Sequence, residues 1–342
     1  MRAGEARART VFFGSGSFAV PILEALVGAS EIELVGVVSA PDRPAGRGGE
    51  TRSVPVVRRA RELGLSVLQP ARVRAPEAIE AIARLRPDLG VLADYGQLIP
   101  EALLALPPWG ILNVHPSLLP RHRGAAPIQA TILAGDREAG VTLIRMDAGL
   151  DSGPIVAAER WPLDGTETAP RLEARAAVAG AALLRRSLAG WLAGTLPAQP
   201  QPAEGVTMTR PLRREDGRLD PARTAVELEH QVRAYQPWPG SFVETSAGRL
   251  VVWRASVRTE GAGPGGQAAG APDRAVEGDA GQVEGDAGRA EPGRLVVDGD
   301  GLGLVTADGL LRLEEVQLAG RRRMRAPELR RGHPELVGER VR

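Results

Sequence analysis

The first third of the chain alternates short apolar runs with helix-length stretches, and this alternation limits the fold more than any other feature. Thr10 to Phe13 reads as a buried strand and Glu33 to Ser39 as a second; Val67 with Leu68, Asp88 to Ala93 and Gly110 to His115 follow. Helical patterns separate them: one through Pro21, Ile22, Leu23, Ala25 and Leu26, one over 54–63 and one over 77–85. Such alternation predicts an α/β fold, a Rossmann-like domain with a mainly parallel sheet and helices on both faces. In sheets of this kind the chemistry sits at the carboxyl ends of the strands.

Beyond a predicted Ala/Leu/Arg helix over 166–194, Pro197 to Pro202 breaks the pattern, and the expected division is a domain over 9–195, a linker over 196–206 and a domain over 207–335. The second domain opens with a short helix over 226–234. Strand-like runs follow over 249–253, 294–298, 302–306 and 310–316, punctuated by Gly-Asp turns, which suggest a small OB-like β-barrel. Interrupting it is 259–293, rich in Gly, Ala, Glu and Asp, with Val-Glu-Gly-Asp-Ala-Gly occurring twice. That composition cannot bury a core, so a disordered insertion without catalytic role is expected.

Composition removes several classes of chemistry. The chain has no cysteine, which excludes disulfides, thiolate nucleophiles and cysteine-ligated metals. Four scattered histidines without an H-x-x-x-H pair make a metal site unexpected. No apolar run approaches the ~20 residues of a membrane span, and Met1 to Thr10 lacks the apolar stretch of a signal peptide. A soluble cytoplasmic protein without a membrane partner is the expectation. The net charge of +1 points to no partner by itself.

Gly14-x-Gly16-x-x-Ala19, between a strand and a helix, is half of a dinucleotide-binding fingerprint. The other half is missing: the second strand ends Val37-Val38-Ser39-Ala40, and no acid appears before Asp42 in a Pro-rich loop. A tight turn is the better reading of the glycines, and a dehydrogenase the weaker function.

Asparagine occurs once, as Asn113, two residues before His115. On a strand, positions i and i+2 face the same way, so an amide and an imidazole project together from one strand end. The run continues Pro-Ser-Leu-Leu-Pro-Arg-His-Arg-Gly-Ala-Ala-Pro-Ile-Gln129, and later comes Gly140-Val-Thr-Leu-Ile-Arg-Met-Asp147-Ala-Gly-Leu-Asp151-Ser-Gly-Pro154. These two blocks resemble the signatures of the folate-dependent formyltransferases. Pro41-Asp-Arg-Pro-Ala-Gly-Arg47, Tyr95-Gly-Gln-Leu-Ile-Pro100, Tyr235-Gln-Pro-Trp-Pro-Gly240 and Val316-Gln-Leu-Ala-Gly-Arg-Arg-Arg-Met324 are similar to the branch that acts on methionyl-tRNA. The resemblance covers nearly the whole chain apart from 259–293.

The resemblance implies transfer of the formyl group of 10-formyltetrahydrofolate to the α-amino group of methionyl-initiator tRNA. Asn113 and His115 would supply donors to the formyl oxygen, and Asp151 would be the third catalytic residue, preferred to Asp147. Ser117, Leu118, Leu119 and Pro120 match the folate-binding stretch. Tyr95, Gly96, Gln97, Leu98, Ile99 and Asp147 would line the pterin pocket, largely through backbone groups. The second domain would hold the tRNA with Arg321, Arg322 and Arg323, assisted by Arg43, Arg47 and Arg52 in the 41–53 loop. Arg121, His122 and Arg123 are expected on an exposed loop, His230 and His333 on the surface, and the chain as a monomer without metal.

Two features depart from the family. Gly48-Gly49-Glu50 stands where lysines are usual, and Asp94 stands where a small apolar residue is usual. Two other functions remain open: a formyltransferase for a small amine (an amino sugar nucleotide or glycinamide ribonucleotide), and a catalytically dead RNA-binding relative.

Overall fold

The computed structural model describes residues 7–45, 50–258 and 291–341. The chain divides into two compact units. One runs to Pro211 less Ile132–Gly135; the other comprises that short piece and the chain from Leu212 onward.

The first unit is built in chain order from Ala8–Gly14 (β1), Ala19–Val27 (α1), Ile32–Val38 (β2), Arg43–Ala45 (β3), Glu50–Arg52 (β4), Pro55–Glu62 (α2), Val67–Leu68 (β5), Pro76–Arg84 (α3), Leu89–Ala93 (β6), Glu101–Leu104 (α4), Ile111–His115 (β7), Arg123–Gly124 (β8), Pro127–Leu133 (α5), Glu138–Arg145 (β9), Ile155–Pro162 (β10), Ala169–Leu192 (α6) and Met208–Thr209 (β11). Prolines stand in the first turn of α2, α3 and α6, where a missing N–H costs nothing. The main sheet has the order β10-β9-β7-β6-β1-β2-β5. Its strands from β7 to β5 are parallel, whereas β9 runs antiparallel to β7 and β10 antiparallel to β9. The mainly parallel sheet is as expected. Its antiparallel edge is a finding, since no strand is read from the sequence over 138–145 or 155–162.

Strand order places the site. From β1 the chain builds outward through β2 to β5, then returns to β6 and builds the other way to β7, so the order reverses between β1 and β6. Ligands bind outside the strand ends at such a reversal. Gly14–Gly16 and Asp94 stand there, with Ser15 N–H donating to the Asp94 carbonyl at 2.9 Å. Asn113 and His115 end the neighbouring strand. Beneath them Val11, Phe13, Ile82, Leu92, Tyr95, Leu103 and Ile111 form a buried apolar cluster.

The second unit contains Ala225–Ala234 (α7), Ser241–Thr245 (β12), Gly248–Arg258 (β13), Leu295–Asp298 (β14), Gly301–Val305 (β15), Leu310–Leu318 (β16), Met324–Arg325 (β17) and Ala326–Gly332 (α8). Its antiparallel sheet has the order β12-β13-β16-β15-β14, with β17 also on β16. Leu228, Val232, Val252, Leu304, Leu311 and Val316 belong to its core, which α7 and α8 help to cover. The OB-like barrel expected is not seen: among the described residues the second unit forms one antiparallel sheet, whose end strands β12 and β14 do not pair with each other. Of the insertion read over 259–293, residues 259–290 lie outside the described residues, whereas Gly293 is tied into the unit by backbone hydrogen bonds to Val305 and Val341.

Candidate active site

All five residues of β7 are buried, and alternation decides what each faces. Val114 lies toward α6, where its Cγ1 stands 2.7 Å from the position of a Cβ on Gly180. Ile111, Asn113 and His115 share the other face, and Ile111 belongs to the apolar cluster. Asn113 is 5% and His115 4% exposed, so both are polar groups that need partners.

Asp151 is that partner. Asn113 Nδ2 donates to its Oδ1 at 3.1 Å, and His115 Nδ1 stands 3.6 Å from its Oδ2. The Gly124 N–H donates to the same Oδ2 at 2.8 Å. Only glycine fits at 124: its φ is +102°, and a Cβ would come within 2.3 Å of the Thr209 carbonyl oxygen. Asp151 itself has a φ of +50°, a left-handed conformation uncommon outside glycine. Gln201 holds it there, donating to the carbonyls of Asp151 at 2.8 Å and Gly153 at 2.7 Å while Arg123 donates to its Oε1. Segment 196–206 therefore takes part in the site's support; Gln199 also pairs with Ile155. The sequence reading has no role for Gln201, because its partners, two backbone carbonyls and the Arg123 side chain, lie 48 to 78 residues away.

The second ring nitrogen of His115 is committed elsewhere, with Nε2 3.0 Å from the His122 carbonyl oxygen. A carbonyl only accepts, so Nε2 carries the hydrogen. Burial holds the His115 pKa below the usual histidine value despite the Asp151 charge, which opposes that shift. A neutral His115 protonated on Nε2 presents its Nδ1 lone pair toward Asp151.

His122 corrects the sequence reading. It is not on an exposed loop but 6% exposed, with Nε2 2.7 Å from Asp136 Oδ2. Arg121 is exposed as expected and pairs with Asp136 Oδ1 at 2.5 Å, while Arg123 is half-buried on Gln201. His230 and His333 are both half-buried.

The folate-binding candidates are spread around this centre. Ser117 donates to the Arg121 carbonyl, and Thr142 on β9 pins the stretch by donating to the Ser117 carbonyl and accepting from Leu119 N–H. Leu118 and Pro120 are half-buried, and Leu119 is buried. Gln97 accepts from Val73 N–H, Ile99 packs against the apolar cluster, Gly96 has open space over its Cα, and Leu98 is 81% exposed. Tyr95 turns into the core, edge-on to Phe13, and its hydroxyl has no hydrogen-bond partner. Only its backbone remains for a ligand. Asp147 is exposed and closes a turn, accepting from Gly149 N–H and Ser152 Oγ.

At the strand-order reversal, Asp94 lies over the glycine turn. A Cβ on Gly16 would stand 1.7 Å from Asp94 Oδ2, so that carboxyl fills the place where a dinucleotide phosphate would approach the turn. Asp94 keeps contact with solvent, yet the atoms crowded around it displace enough water to push its pKa up to about 6, with the Glu173 charge adding to the rise. Ser17 donates to that same Glu173 at 2.6 Å. Two carboxylates beside a phosphate would repel it, which weighs further against the dehydrogenase.

Of the basic candidates, Arg43 and Arg52 are register partners in the β3–β4 pair, and Arg47 lies outside the described residues. Arg321, Arg322 and Arg323 are exposed in the second unit, where the Arg323 guanidinium stacks 3.3 Å above the centre of Trp253. Among the described residues no cluster of His, Cys, Asp and Glu side chains suits a metal ion, and no helix is long and apolar enough to cross a membrane.

Comparison with known proteins gives a consistent result in both halves. Residues 8–188 match the family "Formyl transferase" and residues 211–334 match "Formyl transferase, C-terminal domain". The methionyl-tRNA formyltransferase of Roseiflexus castenholzii is 41% identical over 333 residues, covering 97% of this chain and 98% of its own. The protein of the same name from Thermus thermophilus is 41% identical over 336 residues, covering 97% and 99%. Among solved structures, an N-formyltransferase from Helicobacter canadensis in complex with folinic acid and dTDP-3-aminofucose aligns with a TM-score of 0.60 at 15% identity, over 90% of this chain and 99% of that one. A methionyl-tRNA formyltransferase from Clostridium thermocellum aligns with a TM-score of 0.51 at 15% identity, over 73% and 94%. At such identity the structural likeness speaks for the fold alone.

Proposed function

The chain belongs to the methionyl-tRNA formyltransferase family, with both family domains matched and 41% identity along nearly its full length, and from that membership we propose that Asn113, His115 and Asp151 carry the reaction. The reaction is transfer of the formyl group of 10-formyltetrahydrofolate to the α-amino group of methionyl-initiator tRNA. The observation that carries the assignment is the joining of these three side chains at the end of β7.

The folate supplies the formyl group; the protein supplies donors, a proton acceptor and orientation. Asn113 uses one amide hydrogen on Asp151 and keeps the second for the formyl oxygen, where negative charge gathers as the amine attacks. A preorganised donor of this kind is worth roughly 3–4 kcal/mol. The attacking nitrogen must lose a proton, and N10 of the folate must gain one as its bond to the formyl carbon breaks. The Nδ1 lone pair of His115 and the Asp151 carboxylate are the acceptors at hand, and the charge of Asp151 favours protonation of the imidazole beside it. The hydrogen bonds from Asn113 and Gly124 keep the carboxylate oriented during this exchange.

The chemistry of the loops suits a pterin. Tyr95–Ile99 offers backbone groups and the apolar Leu98, and Ser117–Pro120 is held from behind by Thr142. In the second unit Arg321, Arg322 and Arg323 are the groups we assign to tRNA phosphates, with Arg43, Arg47 and Arg52 assigned to the same partner. A cytoplasmic monomer with domains over 9–195 and 207–335 accords with this reading.

A formyl-transfer assay with purified protein, 10-formyltetrahydrofolate and charged initiator methionyl-tRNA tests it. Formylated methionyl-tRNA is the expected product. Transfer to a free amino sugar nucleotide or to glycinamide ribonucleotide instead would favour a small-amine enzyme, and folate binding without any transfer would favour a dead relative.

A further inference from the structure

A catalytic histidine has two ring nitrogens, and which one carries the hydrogen is set by the partner of the other. For His115 that partner is a backbone oxygen, the carbonyl of His122 at 3.0 Å. What fixes this carbonyl therefore fixes the chemistry of His115. His122 has a φ of +60°, a conformation that residues other than glycine hold only where their surroundings impose it.

The surroundings are specific. The His122 N–H donates to Thr207 Oγ1 at 2.7 Å. Its ring Nε2 stands 2.7 Å from Asp136 Oδ2, and a carboxylate there requires that Nε2 carry hydrogen. Thr207 Oγ1 also lies 3.3 Å from ring Nδ1. One hydroxyl thus accepts from the backbone N–H of His122 and contacts its ring. Asp136 is held in turn by Arg121. Every polar atom of His122 has a partner.

We infer that His122 is a positioning residue that locks His115 in its Nε2-protonated tautomer, with Nδ1 left bare toward Asp151. Asp136 and Thr207 hold the His122 ring and N–H, the ring and N–H hold the left-handed turn, and the turn aims the carbonyl. Without the lock, the His115 hydrogen moves to Nδ1, where Asp151 would accept it. The nitrogen facing the carboxylate would then be a donor, and the proton acceptor assigned above would be lost. The kinetic part of this inference rests on the formyl-transfer reading; the tautomer itself does not.

The test combines ¹⁵N NMR of the imidazole rings with steady-state kinetics. With only four histidines in the chain, single His→Gln variants assign the signals. In the wild type His115 should be neutral and protonated on Nε2. In His122→Ala the two tautomers should mix, and kcat should fall by about 10-fold while KM for folate and for tRNA stays within about twofold. His122→Gln, whose amide can donate to Asp136, should restore most of the rate. Thr207→Val has nearly the wild-type shape and removes both hydroxyl contacts, so it should shift the tautomer the same way even where His122→Ala does not fold. An Nδ1-protonated or charged His115 in the wild type overturns the inference. So does an unchanged tautomer with unchanged kcat in both variants. A wild type that shows the expected tautomer but no formyl transfer leaves the lock standing and removes the functional reading instead.

Discussion

At the scale of residues, the site is an exercise in satisfying polar groups where water is scarce. Asn113 and His115 are almost fully buried, and each commits part of its hydrogen-bonding capacity to the protein and keeps part for the reaction. Replacing either by alanine removes a group from the reacting centre. Asn113→Ala and His115→Ala should each lower kcat by about 10²-fold or more while tRNA affinity stays near normal, read by single-turnover formylation and by filter binding. Near-wild-type turnover in either variant would remove that residue from the machinery. The pairing of Asn113 with His115 was legible in the sequence, because period-2 alternation needs nothing beyond the strand. That Asp151 bonds to Asn113 and stands 3.6 Å from His115 was not legible from residue chemistry: it is 38 positions from Asn113 and sits in a left-handed turn. The family motif pointed to it where local pattern did not. His122 was misread for the same reason. Flanked by arginines it looks like surface, and only its partners Asp136 and Thr207 explain its burial.

Elements are where backbone and side chain are matched most tightly. The turn after β1 and the turn after β6 share a space that only one side chain can occupy, and Asp94 has taken it at the expense of any Cβ on Gly16. Gly16→Ala should therefore push the exposed Asp94 carboxyl aside and be destabilising by about 0.5–1.5 kcal/mol, the cost of holding a side chain off its preferred rotamer. Asp94→Ala added to it should recover most of that loss. A thermal-denaturation double-mutant cycle reads the coupling, and strictly additive effects would show that the two turns do not compete. In the second unit, Asp298 ends β14 with no exposed side-chain surface and takes hydrogen bonds from Arg258 and Arg312. Burial by itself would raise its pKa, but the bonds and charges of Arg312 and Arg258 outweigh burial and hold it below the usual carboxylate value. A folded-state value below the unfolded ~3.9 means the contribution is fully present above about pH 4 and is lost as pH falls through the folded value. Asp298→Asn should cost about 2 kcal/mol at neutral pH. In acid the melting temperatures of variant and wild type should converge; a constant gap would place the stabilisation elsewhere. The strands that carry Asp298 and Arg312 are read from their apolar runs, whereas the strand read over 249–253 stops short of Arg258, and the ion pairs linking the three depend on register, which the sequence does not display.

For the whole molecule, charge rather than shape supplies the most direct test of the acceptor. Arg321, Arg322 and Arg323 are exposed, and phosphate contacts of this kind release counterions. Replacing all three by alanine should raise KM for the charged tRNA and flatten its salt dependence by about one unit of slope per lost contact, with the KM for folate unchanged. An unchanged salt slope would remove these arginines from the tRNA surface. By itself, the sequence determined the α/β character of the first unit, the parallel strands β1, β2, β5, β6 and β7, the strand end that bears Asn113 and His115, and, in the second unit, β14, β15, β16 and the first half of β13. These follow from local periodicity, which is written along the chain. Only the tertiary structure decided the antiparallel edge made by β9 and β10, the open order of the second sheet, the grip of Gln201 on the Asp151 turn, and the His122 carbonyl that takes the hydrogen of His115. Each of these joins groups distant in sequence through backbone carbonyls or strand partners. Every residue carries the same carbonyl, so no residue type announces which one will be used.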